Sequence, residues 1–358
     1  MTIFFGEFIT MLSKTPSLQM ITLLTLGVML VNGWTDAPNA IASLVASGGM
    51  ELKKAVRMAA FFNFAGLALM TACNSTVAFT IYHIADFGDS PQRALIALCA
   101  ALLAIILWAA AAWSFGIPTS ESHALIAGLT GASISIHNGL AGIHGEEWMK
   151  VIYGLLFSSF LGFGLGWAGG KMLFLKGKKA YGACQRRRWK KYKSRVEQMQ
   201  IAGAAAMAFM HGAQDGQKFI GVFLMGIFLA KEEMPAGHFY IPFWMTILCS
   251  IVIASGTAIG GERIIKTVGV DMVKLRRSQG IVSDAAAAIC LLFFSLIGFP
   301  VSTTHVKTTA IMGVGIASDA KTVNISIIKE MIFAWLITFP GCCAIGYCVA
   351  EIFQKIIR

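Results

Sequence analysis

Gly33-Trp34-Thr35-Asp36-Ala37-Pro38-Asn39-Ala40 is a polar string in an oily chain, and His211-Gly212-Ala213-Gln214-Asp215-Gly216-Gln217-Lys218 answers it in the second half. A second pair follows each of them, Pro118-Thr119-Ser120-Glu121-Ser122-His123 and Pro300-Val301-Ser302-Thr303-Thr304-His305. Asp36 precedes His123 by 87 positions and Asp215 precedes His305 by 90, and in both halves the proline precedes the histidine by five. That spacing reads as a duplication. A carboxylate with an amide or ammonium three residues on, followed later by hydroxyls after a proline, is costly inside apolar surroundings. Ionisable groups kept there mark ion or substrate paths.

Composition fixes the compartment. Of 358 residues 56% are hydrophobic and 13% charged, and the mean hydropathy is +0.70, far from the balance of a soluble globular chain. The chain is expected to be an all-α polytopic membrane protein. Apolar stretches of the about 17 to 25 residues that cross hydrocarbon as helix recur near 18–35, 55–81, 93–116, 150–175, 239–262, 281–299 and 326–352. Shorter Gly-rich runs at 123–136, 201–230 and 305–318 are expected to enter the membrane as broken or re-entrant helices, for about ten to twelve transmembrane segments. No short apolar stretch is followed by a small-residue cleavage site, so the first span is read as retained.

The net charge of +11 sits almost entirely in one place, since Lys171 to Arg195 holds eleven Lys and Arg and no acid. A basic block beside membrane spans is the positive-inside signal and a contact for anionic lipid heads, and no nucleic-acid reader accompanies it. The chain divides into a first transmembrane repeat, 1–170, a basic cytoplasmic linker, 171–198, and a second repeat, 199–358. With that linker inside, Lys53, Lys54 and Arg57 fall inside, whereas Asp86, Asp89, Glu146 and Glu147 fall outside. In the second half the assignments reverse: Lys231, Glu232 and Glu233 land outside, and Arg263, Lys266, Lys274, Arg276 and Arg277 inside. Corresponding loops face opposite ways, which gives two inverted-topology repeats of an odd number of crossings with both termini outside. Inverted repeats are a common build of secondary transporters, with substrate and coupling ions meeting near the midplane.

The eight cysteines show no paired spacing and read as small core residues, giving neither a zinc cluster nor a disulfide frame. No Gly-x-x-x-x-Gly-Lys-Ser/Thr string is present, which excludes an ATP-driven pump built on this chain alone. On a helix Asp36 and Asn39 share a face, as do Asp215 and Lys218. The plainer reading of Asp36 is a cap on the helix that Pro38 starts. Backbone N–H groups after Pro118 and Pro300, with the hydroxyls of Thr119, Ser120, Ser122, Ser302, Thr303 and Thr304, suit a tetrahedral oxyanion. For either string alone, ordinary Ser/Thr capping explains as much. Lys218 is expected to pair with Asp215 or to face substrate rather than snorkel to an interface. A lone histidine is often a satisfied hydrogen-bonding residue, although it can shuttle protons near neutral pH, and the sequence leaves open the roles of His123, His211 and His305 and of Glu121, which is matched by Thr303.

These residues resemble the inorganic phosphate transporters of the PiT type, a family of sodium- or proton-coupled symporters to which sulfate permeases are related. Gly33–Ala40 and Gly212–Lys218 look like that family's Gly-x-Asn-Asp-x-x-Asn-Ala strings, in which lysine often replaces the last asparagine of the second. Pro118–His123 and Pro300–His305 look like its Pro-x-Ser-x-x-His strings. Thr35 and Gln214 stand where the commoner pattern has Asn, which bears on the sodium assignment more than on phosphate. The resemblance implies an alternating-access symporter in the plasma membrane that imports inorganic phosphate, with no enzymatic activity, no cofactor and no metal beyond sodium. Asp36, Asn39, Thr119, Ser120, Ser122, Asp215, Gln217, Lys218, Ser302, Thr303 and Thr304 would bind substrate, and Asp36, Asn39, Gln214 and Asp215 the coupling cation. A homodimer is implied by the family alone. A permease for sulfate or another tetrahedral oxyanion is the near alternative. An ion channel would show flux without saturation, and an intramembrane enzyme would need a nucleophile and base in contact. Both rank lower, because a duplicated site fits the two faces of one carrier.

Overall fold

A computed structural model of the chain describes residues 3–88, 90–115, 119–180, 186–233, 240–273 and 275–356. Prolines open several helices, because a missing N–H costs nothing in the first turn and the ring pre-sets the backbone angle. Pro16 starts α2, Pro16–Thr35, after the short α1, Phe5–Lys14; Pro38 starts α3, Pro38–Ala46; and Pro91 starts α6 below. α4, Leu52–Cys73, stops at Asn74, whose Oδ1 accepts from the Thr76 backbone N–H at 3.0 Å and starts α5, Thr76–Tyr82. The expected apolar run 55–81 is therefore two helices.

The first half closes with α6, Pro91–Ser114, α7, Glu121–His137, and α8, Gly145–Ala180. The second contains α9, Arg186–Lys231, α10, Phe243–Ile259, and α11, Glu262–Lys266, which runs into a π turn, Thr267–Asp271. It ends with α12, Arg277–Leu296, α13, Thr303–Ser318, and α14, Ile325–Ile356. Among the described residues six helical segments are long and apolar enough to cross a membrane, with α2 and α3 counted as one span of 31 residues. They become seven when α10 is joined to Glu262–Asp271 across a 68° bend at Gly260, whose φ of +83° glycine adopts freely. The other apolar runs anticipated from sequence lie on α7, α9 and α13. Asp89, Pro118 and Lys274 fall outside the described residues.

One detail is added and one expectation changes. The basic segment 171–198 is largely helix: α8 continues to Ala180 and α9 begins at Arg186, with 181–185 outside the described residues. Lys and Arg are good helix formers, and no proline or glycine interrupts α9 before Gly203. The second acidic string does not break its helix either. α9 runs unbroken through Asp215, whereas Pro38 divides α2 from α3 at Asp36 and Ala37. Proline removes an amide donor and clashes with the preceding turn, while the flanking Gly212 and Gly216 keep their N–H groups and let the ladder continue.

Helix packing repeats itself. α7 packs on α6 and α14, and α13 packs on α12 and α8, so the last helix of each half lies against the other half. α2 packs on α10 as α9 packs on α4. Gly33 and Gly212, each three residues before an aspartate, sit at these two crossings. A Cβ on Gly33 would meet the Ile253 carbonyl, and one on Gly212 the Asn63 carbonyl. With no aqueous driving force between helices in lipid, such small-residue crossings bring backbones into van der Waals contact. Leu, Ile, Phe and Ala of α2, α6, α7, α9 and α10 fill one core around these contacts.

Candidate functional site

Thr35 ends α2, and the chain turns at Asp36 and Ala37 before Pro38 restarts it. The N-cap of α3 is Ala37, so Asp36 closes the preceding helix and does not cap the next. Its carboxylate is left for side chains: Asn39 Nδ2 donates to Oδ1 at 2.7 Å, and the Thr304 hydroxyl of α13 donates to the same oxygen. Asn39 Nδ2 also reaches Thr304 Oγ1 at 3.1 Å. The neighbouring Thr35 hydroxyl donates to Glu121 Oε1, at the head of α7.

On α9 the same spacing puts Asp215 and Lys218 on one face. Lys218 Nζ donates to Asp215 Oδ1 at 2.6 Å, to Ser122 Oγ at 2.6 Å and to the Val301 carbonyl at 2.5 Å. Asp215 Oδ2 accepts from Thr303 Oγ1 at 2.9 Å, and Oδ1 is within a long 3.4 Å of Ser122 Oγ. The pairing is partly crossed. The acid of the first half meets a hydroxyl of the second, Asp36 with Thr304, and the acid of the second meets Thr303 of its own half and, at longer range, Ser122 of the first. The heads of α7 and α13 meet directly, with the His123 and His305 rings edge to face at 4.4 Å between centroids.

His211 is held one turn before Asp215 by a fixed relay. Thr257 Oγ1 donates to the Ile253 carbonyl and accepts from Asn63 Nδ2 at 2.9 Å, which turns Asn63 Oδ1 toward His211 Nδ1 at 2.9 Å. Nδ1 therefore carries the proton, and Nε2 faces Asp215 Oδ2 at 3.3 Å. One ligand atom each from Asp36, His211 and Asp215 lies within 4.8 Å of the others, a set that can hold a cation.

Not every expected residue joins this network. Ser120 and Ser302 accept from the backbone N–H of His123 at 3.3 Å and His305 at 3.2 Å, so their hydroxyls cap α7 and α13. Gln214 Nε2 donates to the Phe299 carbonyl at 3.2 Å and Gln217 Nε2 to the Asn74 carbonyl at 2.7 Å, tying α9 to the turns before α13 and α5. Thr119 is half-buried ahead of the α7 cap, with no hydrogen bond to the network among the described residues. Asp36, Asn39, Glu121, Ser122, Asp215, Lys218, Thr303 and Thr304 are all buried.

A second polar cluster was not singled out in the sequence. Lys307 Nζ pairs with Asp284 Oδ1, Ser43 Oγ donates to the same oxygen at 2.6 Å, and Gln200 Nε2 reaches the Ser43 carbonyl at 3.3 Å. Asp284 and Lys307 are fully buried, and the cluster ties α3, α9, α12 and α13 one to two turns from Asp36 and Thr304. The signal was available: Lys307 follows His305 by two, and Asp284 lies inside an apolar run. Lys307 and Ser43 have no like counterpart in the other half, where Leu125 and Val222 stand at the matching places.

A helical bundle of membrane-spanning length, with a buried centre of carboxylates, hydroxyls and an ammonium drawn from both halves, defines an integral membrane transport protein. The phosphate transporter family pattern matches residues 32–346, and the chain belongs to that family. A probable low-affinity inorganic phosphate transporter of Bacillus subtilis is 32% identical over 332 residues, spanning 91% of this chain and 94% of its own length. One from Rhizobium meliloti is 34% identical over 317 residues, spanning 88% and 90%. The solved structure described as "The sodium-dependent phosphate transporter" matches 96% of this chain and 100% of its own with a TM-score of 0.84 at 21% identity, and so shares the fold. Transporters, not enzymes, are what this chain resembles.

Proposed function

We propose that the protein is a secondary symporter that carries inorganic phosphate across the plasma membrane together with a cation. The observation that carries this reading is the meeting of two acidic strings and two hydroxyl strings in one buried centre. Thr303, Thr304 and Ser122 donate to Asp215 and Asp36. The same donors, with the α7 and α13 N-termini, are those a tetrahedral oxyanion would use. Phosphate keeps a proton that a carboxylate accepts, which sulfate at neutral pH does not offer. Bringing in a cation with the anion lowers the electrostatic cost of burying either.

The names of the relatives support phosphate, and that of the structural neighbour supports sodium as the coupling ion. The reading assigns 1–170 and 199–358 to inverted repeats that rock against each other around the centre. Termini lie outside, and the basic 171–198 segment faces the cytoplasm and its anionic lipids. Uptake of labelled phosphate by proteoliposomes under imposed sodium or proton gradients tests it. Saturable uptake that follows one gradient and resists excess sulfate is expected. Uptake that sulfate abolishes, or flux that does not saturate, would replace it with a sulfate permease or a channel.

A further inference from the structure

The two acidic strings are not chemically equal. Three residues after Asp36 stands an amide, Asn39, and three residues after Asp215 stands an ammonium, Lys218. Among the described residues Asp36 Oδ2 and Asn39 Oδ1 have no hydrogen-bond partner, although each residue is only 2% exposed. These are acceptor atoms in a dry place, and only a cation or a donor stabilises them there. Asp215 differs in having both oxygens engaged: Oδ1 by Lys218 and Ser122, Oδ2 by Thr303, with His211 beside it.

Lys218 Nζ itself sits in a cage of oxygens. A carboxylate, a hydroxyl and a backbone carbonyl surround it at 2.5 to 2.6 Å, and the residue is 1% exposed. Carboxylate, carbonyl and hydroxyl oxygens are the donor set of a small hard cation. Here the cation is covalently attached. The side chain of Asn39 at the corresponding place carries no charge, so Asp36 has no ammonium of its own string beside it.

We infer that Lys218 is a resident cation: its ammonium permanently fills the second-half cation position, leaving the Asp36 position to bind a mobile cation, one per phosphate. The inference rests on the phosphate symport reading and adds its stoichiometry. An ammonium that stays with the protein contributes attraction for the anion in both inward- and outward-facing states but moves no net cation per cycle. The mobile cation beside Asp36 carries the coupling.

The test is the cation-to-phosphate flux ratio in proteoliposomes, measured by dual labelling with radioactive sodium and phosphate and by an internal pH dye for protons. Wild-type protein is expected to move one cation, sodium or proton, per phosphate, with a Hill coefficient for that cation close to one. Lys218→Asn, which copies the first-half residue, is expected to lose most uptake at ordinary sodium. Raised sodium should restore it, with the sum of sodium and protons moved per phosphate approaching two. Lys218→Arg should keep the ratio at one whatever its rate. Two cations per phosphate in the wild type, or a restored Lys218→Asn in which sodium and protons together still move at one per phosphate, overturns the inference. The wild-type ratio alone decides if Lys218→Asn does not fold. Absence of wild-type phosphate uptake under either gradient would instead strike the symport reading, and sodium binding to the detergent-solubilised protein would then decide the resident cation, with one more sodium per chain expected in Lys218→Asn than in wild type and equal binding overturning it.

Discussion

Replacing Lys307 by methionine removes a buried ammonium but keeps most of its volume, and leaves the Asp284 carboxylate with the Ser43 hydroxyl as its short contact. Both members of the pair are fully buried, so no water screens the loss. Removing one partner of a buried ion pair costs about 3 to 5 kcal/mol, because the other charge stays desolvated and uncompensated. A ceiling comes from the alternative of neutralising the carboxyl group. From an ordinary aspartate value to pH 7 is about three pH units, which at 1.36 kcal/mol each is about 4 kcal/mol. Lys307→Met should therefore destabilise by about 3 to 4 kcal/mol. Asp284→Leu combined with Lys307→Met should recover most of that, leaving about 1 kcal/mol for the Ser43 hydroxyl that has lost its acceptor. Unfolding in mixed micelles titrated with sodium dodecyl sulfate, followed by tryptophan fluorescence, reads these differences as a double-mutant cycle. A single-variant loss below about 1 kcal/mol, or a double variant as unstable as the single, would refute the claim that this pair holds α3, α12 and α13 together.

Asp36→Asn keeps the shape of the turn between α2 and α3 but removes its charge. Half-maximal phosphate uptake should need about tenfold more coupling cation or greater, the equivalent of about 1.4 kcal/mol, and an unchanged cation dependence would remove Asp36 from coupling. Ser302→Ala takes away the cap that accepts from the His305 N–H. It should cost about 1 kcal/mol of stability, read by thermal unfolding in detergent, with Ser302→Thr near wild type; equal losses in both would contradict the capping role. In Gly66→Ala the new Cβ lands on the Phe209 carbonyl, so α4 and α9 must part. A loss of about 1 to 3 kcal/mol in the same assay is expected, and a neutral result would mean that the crossing is looser than drawn.

Much of this was legible in the chain itself. Apolar runs at 93–116, 281–299 and 326–352 became α6, α12 and α14 within a few residues, because a span must satisfy its backbone internally and is long enough to be unmistakable. The four polar strings also announced themselves, since a carboxylate in an oily stretch stands out in composition alone. The breaks were harder to read. Pro38 marked one correctly, yet the glycines around Asp215 sit in an uninterrupted α9, because glycine only permits a break whereas proline enforces one.

What the sequence by itself determined is therefore local: which segments are helical and apolar, where proline interrupts them, and which short strings carry charge. Tertiary structure alone decided who meets whom. Thr304 reaches Asp36 across 268 positions, Ser122 reaches Asp215 across 93, and Lys307 finds Asp284 on a neighbouring helix. Ser120 and Ser302 turn to their own helix ends while Ser122 and Thr304 face the acids, a choice no hydroxyl count foretells. The physical reason is that hydrogen bonds and ion pairs act over about 3 Å. Such distances are set by glycine crossings and helix packing between distant segments, and not by spacing along the chain.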